Sequence, residues 1–353
     1  MGKTLSVGVG LRVATIVAVA LVATMPAAGQ TAAARVKAAN ASPVSRTADG
    51  HPDLQGIWSF ATLTPLERPA AYAGKETLTA EEALKLENQA VETQDVERAP
   101  RQGDTGAYNR FWVDSPNKVI GTRRTSLIVD PPDGKVPPLT PQGEKRQATR
   151  QAARQVAANP EDLPVYERCI LGFNSGPPII PGGYNQNIQL FQTRDYVVIH
   201  HEMVHDARIV PMDGRPHLPA PMRQWRGDSR GRWDGDTLVV TTKNFTSTGT
   251  GTIFLDPAGG RAGLGSAPDE NATLIERFRR VDADTLVYEF TITDPTVWTK
   301  PWSVSLPMTK SHEQLYEYAC HEGNYGMKNI LSGARAAEKA GEAASTGSEG
   351  KRR

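Results

Sequence analysis

The residues best suited to chemistry lie in one short stretch, residues 195–217, which holds four of the seven histidines of the chain. Imidazole is the side chain that binds metals and transfers protons near neutral pH. Carboxylates and an arginine are interspersed with these histidines, and the stretch supplies the following candidates: His200, His201, Glu202, His205, Asp206, Arg208 and His217. We therefore predict that the working site of the protein lies here.

One interpretation of this stretch is a zinc site. Residues 201–205 have the sequence His-Glu-Met-Val-His, which matches the H-E-x-x-H pattern of zinc peptidases. In that pattern both histidines lie on one face of a helix and bind the metal, which here would be the role of His201 and His205. A divalent metal such as zinc is therefore one expectation from the sequence.

The local composition favours a strand over a helix. Residues 196–199 are Tyr-Val-Val-Ile, aromatic and β-branched residues that prefer extended backbone. Pro211 and the pair Asp213-Gly214 then end the stretch as a turn does. We predict a strand, with a turn near Met203-Val204 as the alternative that divides it into two short strands.

In a strand, successive side chains point to opposite faces. The candidates then separate into two faces, with His201 and His205 on one and the remainder on the other: His200, Glu202, Asp206 and Arg208. A buried His–carboxylate pair holds one imidazole tautomer and makes the ring a better base. We predict His201 or His205 as the base, with Glu202 or Asp206 as its orienting group or as the acid. Arg208 would hold a substrate carboxylate or an oxyanion. The alternative is a solvated outer face whose charges are structural.

Further candidates lie outside these positions. His321 follows Cys320, and we predict it as a catalytic group that a disulfide would hold in place. The polar loop before the histidines and the loops after them are predicted to bind substrate, through Tyr184, Asn185, Asn187, His217, Arg223 and Trp225. The sequence contains no Gly-rich phosphate loop.

The first 29 residues have the layout of a secretory signal peptide. Lys3 and Arg12 precede an apolar run over residues 13–24, and small residues follow at 27–29. The run is shorter than the roughly 20 residues that a membrane span needs. We therefore expect cleavage, with an uncleaved anchor as the alternative. The mature protein is expected to be periplasmic or secreted, with no stable membrane span.

The two cysteines, Cys169 and Cys320, are far apart in the sequence. In an oxidising compartment an even count favours a disulfide, which we predict between them. The alternatives are two free buried thiols, or Cys320 and His321 as metal ligands.

The charge balance narrows the class of partner. The net charge is +1, from 40 basic and 39 acidic residues that are intermixed along the chain. This balance argues against a nucleic-acid or anionic-membrane partner and leaves a small molecule as the expected ligand. We expect a disordered linker over residues 30–50, a single domain over 51–332, and a disordered or frayed tail over 333–353.

Alternating strands and tight turns predict a mainly β fold. Hairpins are clearest around Asp234-Gly235 and over residues 274–292. Further strands are predicted at 53–60, 124–130, 188–199, 302–306 and 315–319. Two peripheral helices begin at the capping sequences Thr79–Glu82 and Thr140-Pro141. We predict an antiparallel meander barrel, similar in architecture to the lipocalins and calycins.

Several stretches resemble a family of exported bacterial proteins of acidobacterial and planctomycete type: Gly183–Asn187, His200–Asp206, Asp213–His217, Gly227–Trp233 and Tyr318–Tyr325. The resemblance runs from residue 184 to residue 326, which is 143 of the 324 residues that follow the predicted signal peptide. It implies export and a shared design, and it implies no particular mechanism.

From these features we predict an exported enzyme that uses histidine and carboxylate side chains for acid–base chemistry on a small organic molecule. The reaction would take place in a β-barrel pocket and would be that of a lyase, an isomerase or a hydrolase. The first alternative is a non-catalytic, lipocalin-like binder of a small molecule. The second is a metal-dependent hydrolase with His201 and His205 as ligands.

Overall fold

The computed structural model describes residues 44–94, 116–246, 253–255, 261–263 and 268–349. The predicted signal peptide lies outside these residues, as does most of the predicted linker. Residues 44–50 of that linker are folded: Asp53 N donates to Ser45 O (2.8 Å), and Arg46 Nη2 donates to Asp236 Oδ2 (2.8 Å). The expectation of disorder up to residue 50 is wrong for this part, because these residues have long-range partners that composition does not reveal.

The described residues form twelve β-strands. In chain order they are β1 (Gly56–Ser59), β2 (Ile128–Asp130), β3 (Asn187–Gln192), β4 (Tyr196–His201), β5 (Ala207–Pro211), β6 (Asp228–Asp234), β7 (Thr237–Lys243), β8 (Ile253–Leu255), β9 (Arg261–Gly263), β10 (Thr273–Arg280), β11 (Thr285–Thr293) and β12 (Trp302–Ser311). The strand predicted at 315–319 does not form, and residues 312–324 are turns and irregular backbone. In that segment Tyr318 O lies beside the His205 ring instead of joining a ladder.

Ten strands form one antiparallel sheet, in the order β5-β4-β3-β1-β12-β11-β10-β7-β6, with β2 paired to β12. The short strands β8 and β9 form a separate hairpin. Asp234 pairs with Thr237, so the β6–β7 turn consists of Gly235 and Asp236, and Gly235 has a φ of 58° that favours glycine. The predicted mainly β, antiparallel class is therefore confirmed.

The sheet is not closed into a barrel. Its edge strands β5 and β6 approach each other at Gly231, where an added Cβ would collide with Met212 Sδ and come within 3.0 Å of Val210 Cγ1. No ladder of hydrogen bonds joins the two strands in the part of the chain that the structure describes. The predicted closed, lipocalin-like barrel is not confirmed, because the two edges meet through side chains and not through backbone pairing.

The core lies on one face of this sheet. Alternate residues of β10, β11 and β12 are buried, and the largest buried side chains include Trp58, Phe278, Phe290 and Trp302. The rings of Phe290 and Trp302 lie edge to face at 5.4 Å. Each such side chain removed from water stabilises the fold by about 1.5–3 kcal/mol.

In the described ranges three α-helices accompany the sheet: α1 (Ala80–Gln94), α2 (Pro141–Val156) and α3 (Tyr325–Glu349). Both predicted caps form, since Thr79 Oγ1 accepts from Glu82 N (3.2 Å) and Thr140 Oγ1 accepts from Gly143 N (3.1 Å). Helix α3 continues through most of the segment that we expected to be a frayed tail. Among the described residues, no helix is long and apolar enough to cross a bilayer.

Candidate functional site

The histidine-rich stretch is a strand, a turn and a second strand. Strand β4 ends at His201 and β5 begins at Ala207, with a short 3-10 turn over Met203–His205 between them. The backbone amide of His201 donates to the carbonyl of Asp206 at 2.9 Å, which closes the hairpin. The alternative prediction, in which a turn near residue 203 divides the strand into two, is confirmed, and the helix that a zinc peptidase motif needs does not form.

The hairpin changes which candidates share a face. Ile199 pairs with Arg208 and His200 pairs with Ala207. Arg208 therefore points into the core beside Ile199, on the same face as His201. The prediction that Arg208 shares a face with His200 is wrong, because the chain reverses at residues 202–205 and the parity of the alternation changes there.

Arg208 belongs to a buried network that crosses the core. Its Nη1 and Nη2 donate to the two carboxylate oxygens of Glu276 at 2.5 and 2.8 Å. Tyr288 Oη donates to Glu276 Oε1 at 2.9 Å and accepts from Ile179 N at 3.0 Å. Burial and the adjacent Glu276 charge raise the pKa of Tyr288 well above its usual value. The predicted role of Arg208 as an anion holder is not supported, since its fork is already occupied by a carboxylate.

His201 is buried beside two guanidinium groups. Its side chain is 1% exposed, and neither ring nitrogen has a hydrogen-bond partner among the described residues. Burial, followed by the positive charges of Arg226 and Arg208, lowers its pKa well below 6.5. The ring is therefore neutral at pH 7. No carboxylate orients it, so the predicted pairing of His201 with Glu202 or Asp206 does not form.

Those two carboxylates have other partners. Asn187 Nδ2 donates to Glu202 Oε2 at 2.8 Å, and Glu202 N donates to Asn187 O at 3.1 Å. Asp206 forms an ion pair with Arg226. Asn187 therefore positions Glu202 and the start of the turn, which is a structural contact within the candidate site.

His205 and His321 both lie at the surface. His205 Nδ1 is 3.1 Å from Tyr318 O and 3.9 Å from Glu317 Oε1, with a half-exposed ring. His205 and the buried His201 are therefore on different sides of the hairpin. His321 is exposed, and within the described ranges no three His, Cys, Asp or Glu residues are grouped to hold a metal ion.

The predicted disulfide is present. Cys169 and Cys320 are bonded, with their Cα atoms 5.6 Å apart and a sequence separation of 151. Asn324 Nδ2 donates to Glu167 O at 3.1 Å beside it. The disulfide fixes the irregular segment after β12 against the loop that contains Cys169, but it does not bury His321.

A His–carboxylate pair does form, at His217 and Asp228. His217 lies in the connection from β5 to β6, and its Nδ1 is 2.9 Å from Oδ2 of Asp228, the first residue of β6. The carboxylate is held in place: Leu218 N donates to Oδ2 (2.9 Å) and Arg230 Nη1 donates to Oδ1 (2.6 Å). The side chain of Asp228 is 6% exposed and that of His217 is 24% exposed. This is the geometry of an oriented imidazole whose ring reaches the surface.

The remaining predicted substrate-binding residues make structural contacts. The ring of Tyr184 packs edge-on against Phe173 at 5.1 Å. Asn185, with a φ of 53°, presents its carbonyl to Asn174 Nδ2 at 3.2 Å. Arg223 and Trp225 lie in the loop before β6. Arg223 donates to Glu270 O (2.8 Å), and the Trp225 ring lies 5.7 Å from the Arg168 guanidinium.

Sequence reasoning missed two acidic residues that pair with predicted candidates: Glu276, the partner of Arg208, and Asp228, the partner of His217. Glu276 occupies an inward position of β10, between Leu274 and Phe278, and is fully buried. The alternation of that strand places the Glu276 carboxylate on the packed face, and the sequence pattern alone could have predicted a buried acidic residue there. No pattern in the sequence predicts the contact of Asp228 with His217, because His217 lies on a loop whose path is not periodic.

Comparison with known proteins adds no further information: the chain matches no protein-family model, no curated protein and no solved structure.

Proposed function

We propose that this protein is an exported enzyme that uses the His217–Asp228 pair for acid–base chemistry on a small organic molecule. The observation that supports it is the 2.9 Å contact between an anchored, buried carboxylate and a partly exposed imidazole. The reaction would be that of a lyase, an isomerase or a hydrolase. His217, predicted from the sequence to bind substrate, takes the role that we first gave to His201 or His205.

The chemistry of the pair follows from its hydrogen bonds. An ionised carboxylate only accepts, so the contact with Asp228 places the proton of a neutral His217 on Nδ1. Nε2 then carries the lone pair that takes a proton from substrate. Because Arg230 and Leu218 N hold the carboxylate, the ring has one favoured orientation. A correctly oriented base of this kind contributes about 10²–10⁴-fold to rate.

Export and a lipocalin-like architecture form part of the proposal. The signal-type N-terminus and the Cys169–Cys320 disulfide support an oxidising compartment such as the periplasm. The approach of β5 to β6 and the contact of Arg208 with Glu276 across the core support a sheet curled towards a barrel.

The test is a screen for proton transfer. Wild-type protein would be incubated in D₂O with small hydroxy acids, keto acids, esters and lactones, and deuterium incorporation or turnover followed by ¹H NMR. For any substrate found, we expect His217→Gln to lower kcat/KM by about 100- to 10,000-fold. Asp228→Asn should lower it as well, because the ring loses its orienting acceptor.

The matched control is His312→Gln, which changes an exposed histidine outside the pair. It should retain wild-type kcat/KM. Circular dichroism of all variants would establish that each is folded. Full activity in folded His217→Gln would reject the proposal.

A non-catalytic binder of a small molecule is the second candidate, and the buried donors of His201 and Arg226 favour it. Mass spectrometry of the purified protein distinguishes the two. A co-purifying small molecule, with no turnover in the screen, would replace the enzyme by the binder.

A further inference from the structure

Three buried side chains near the β4–β5 turn have polar atoms without hydrogen-bond partners in the described part of the chain. The atoms are both ring nitrogens of His201, Nε and Nη2 of Arg226, and Nε of Arg208. His201 is 1% and Arg208 4% exposed, and the Arg226 side chain is 11% exposed. Buried polar groups in proteins are nearly always hydrogen-bonded, so unpaired donors concentrated in one region indicate a bound acceptor.

One edge of the Arg226 guanidinium contacts backbone carbonyls, and the other edge contacts Asp206. Its Nη1 donates to the carbonyls of Ser175 (3.1 Å) and Gly176 (3.4 Å), which fixes the position of the guanidinium. The Nε–Nη2 edge faces Asp206: Nε forms an ion pair with Asp206 Oδ2, and Nη2 has no hydrogen-bond partner among the described residues. Two parallel N–H groups along one edge match the two oxygens of a carboxylate.

The charges in this region also favour an anion. Glu276 neutralises Arg208 inside the core. Among the described residues the counter-ion of Arg226 is Asp206, and the Asp206 side chain is 38% exposed, so water screens its charge. Burial lowers the pKa of Arg226 to about 10, which leaves it positively charged at pH 7.

We propose that the Nε–Nη2 edge of Arg226, with the neutral ring of His201 beside it, binds the carboxylate of a small organic acid in exchange for Asp206. Arg226 supplies two donors to the two oxygens, and His201 supplies one ring N–H and one acceptor to the rest of the molecule. This binding site is additional to the His217–Asp228 pair and does not depend on it.

The experiment is a ligand-observed NMR titration of the whole mature protein with acetate and propionate in chloride buffer. Acetamide, the neutral isostere of acetate, and inorganic phosphate serve as comparison ligands. We expect both carboxylates to bind and to raise the melting temperature, as any ligand of the native state does. Acetamide should bind at least about tenfold more weakly, since it is neutral and loses the paired charge-assisted hydrogen bonds. Phosphate can pair with the same edge and should bind no more tightly than acetate.

Two substitutions with opposite expected signs test the assignment. Arg226→Gln removes the fork and should weaken carboxylate binding by about 10- to 100-fold. Asp206→Asn removes the competing counter-ion and should strengthen binding. It keeps the test valid if Arg226→Gln fails to fold. The matched controls are Arg277→Gln and Asp234→Asn, which alter an exposed Arg–Asp pair of 3.3 Å on the sheet surface.

Each outcome decides the matter. Carboxylate binding that weakens in Arg226→Gln, strengthens in Asp206→Asn and stays constant in both controls would support the site. Tighter binding of phosphate, equal binding of acetamide, or an unchanged affinity in Asp206→Asn would overturn it. Loss of turnover in His217→Gln with carboxylate binding intact would leave this site standing as a separate finding.

Discussion

At the scale of single residues, the least expected feature is an ion pair inside the core. Arg208 and Glu276 are 4% and 0% exposed, and Arg208 donates two hydrogen bonds to the Glu276 carboxylate. Tyr288 Oη donates a third hydrogen bond to the same carboxylate. Two buried charges are tolerated only when each is paired and hydrogen-bonded. The network therefore depends on all three side chains, and removing one leaves the others unsatisfied.

Replacement of the Glu276 carboxylate should strongly destabilise the fold. Glu276→Gln removes the negative charge that Arg208 needs, and we expect the free energy of unfolding to fall by about 3–5 kcal/mol. Tyr288→Phe leaves the charge pair intact but removes the partner of Ile179 N, and should cost about 1–3 kcal/mol. Urea denaturation measures both changes.

The control for this series is Glu289→Gln, on the outward-facing positions of the neighbouring strand β11. A solvated carboxylate contributes little, and a change below about 0.5 kcal/mol is expected. Equal effects for Glu276→Gln and Glu289→Gln would contradict the importance of the buried pair.

At the scale of elements, the β4–β5 turn is positioned by the loop that precedes β3. An added Cβ on Gly172 would collide with Met203 Cγ and come within 3.1 Å of Val204 Cγ2. Arg226 donates to Ser175 and Gly176 in that same loop. The turn that holds Glu202 and Asp206 is therefore set by close packing against a glycine, which periodicity along the strand does not reveal.

A methyl group at this contact should displace the turn. We expect Gly172→Ala to destabilise the protein by about 1–3 kcal/mol through overpacking, and to weaken carboxylate binding at Arg226. Gly121→Ala is the control, because a Cβ there meets nothing within 4 Å. Equal melting temperatures of the two variants would show that the turn has room to adjust.

Elements were also where sequence reasoning worked best. Thr79 and Thr140 begin helices as predicted, and Asp234-Gly235 marks a hairpin, because caps and tight turns use contacts within a few residues. The segment 315–319 has a strand-like pattern, but its Tyr318 carbonyl lies beside the His205 ring and the adjacent Cys320 is bonded to Cys169, which are contacts outside the ladder.

At the scale of the whole molecule, the Cys169–Cys320 disulfide joins segments 151 residues apart. It connects the loop before β3 to the segment after β12, on either side of most of the sheet. In the chain-entropy model, closing a loop of this length stabilises the native state by about 5 kcal/mol, although strain and denatured-state structure usually reduce the measured value.

The prediction for the whole fold is a large dependence on oxidation. Double replacement of Cys169 and Cys320 by Ala should lower the free energy of unfolding by about 2–5 kcal/mol. Wild-type protein treated with a reductant should lose a similar amount, and the double variant should show no response to reductant. Guanidinium denaturation with and without reductant measures this, and identical midpoints for wild type in the two conditions would contradict the prediction.

The sequence by itself determined the β class, the hairpin turns, the helix caps, the strand state of the histidine stretch and the pair of cysteines. Each of these follows from composition or from contacts within a few residues. Only the tertiary structure decided that Asp228 meets His217, that Glu276 meets Arg208 from 68 residues away, and that His201 is buried beside Arg226. The physical reason is that strand register, the reversal at residues 202–205 and the approach of distant strands choose the partner of each charge, and none of these is encoded by the local period of the chain.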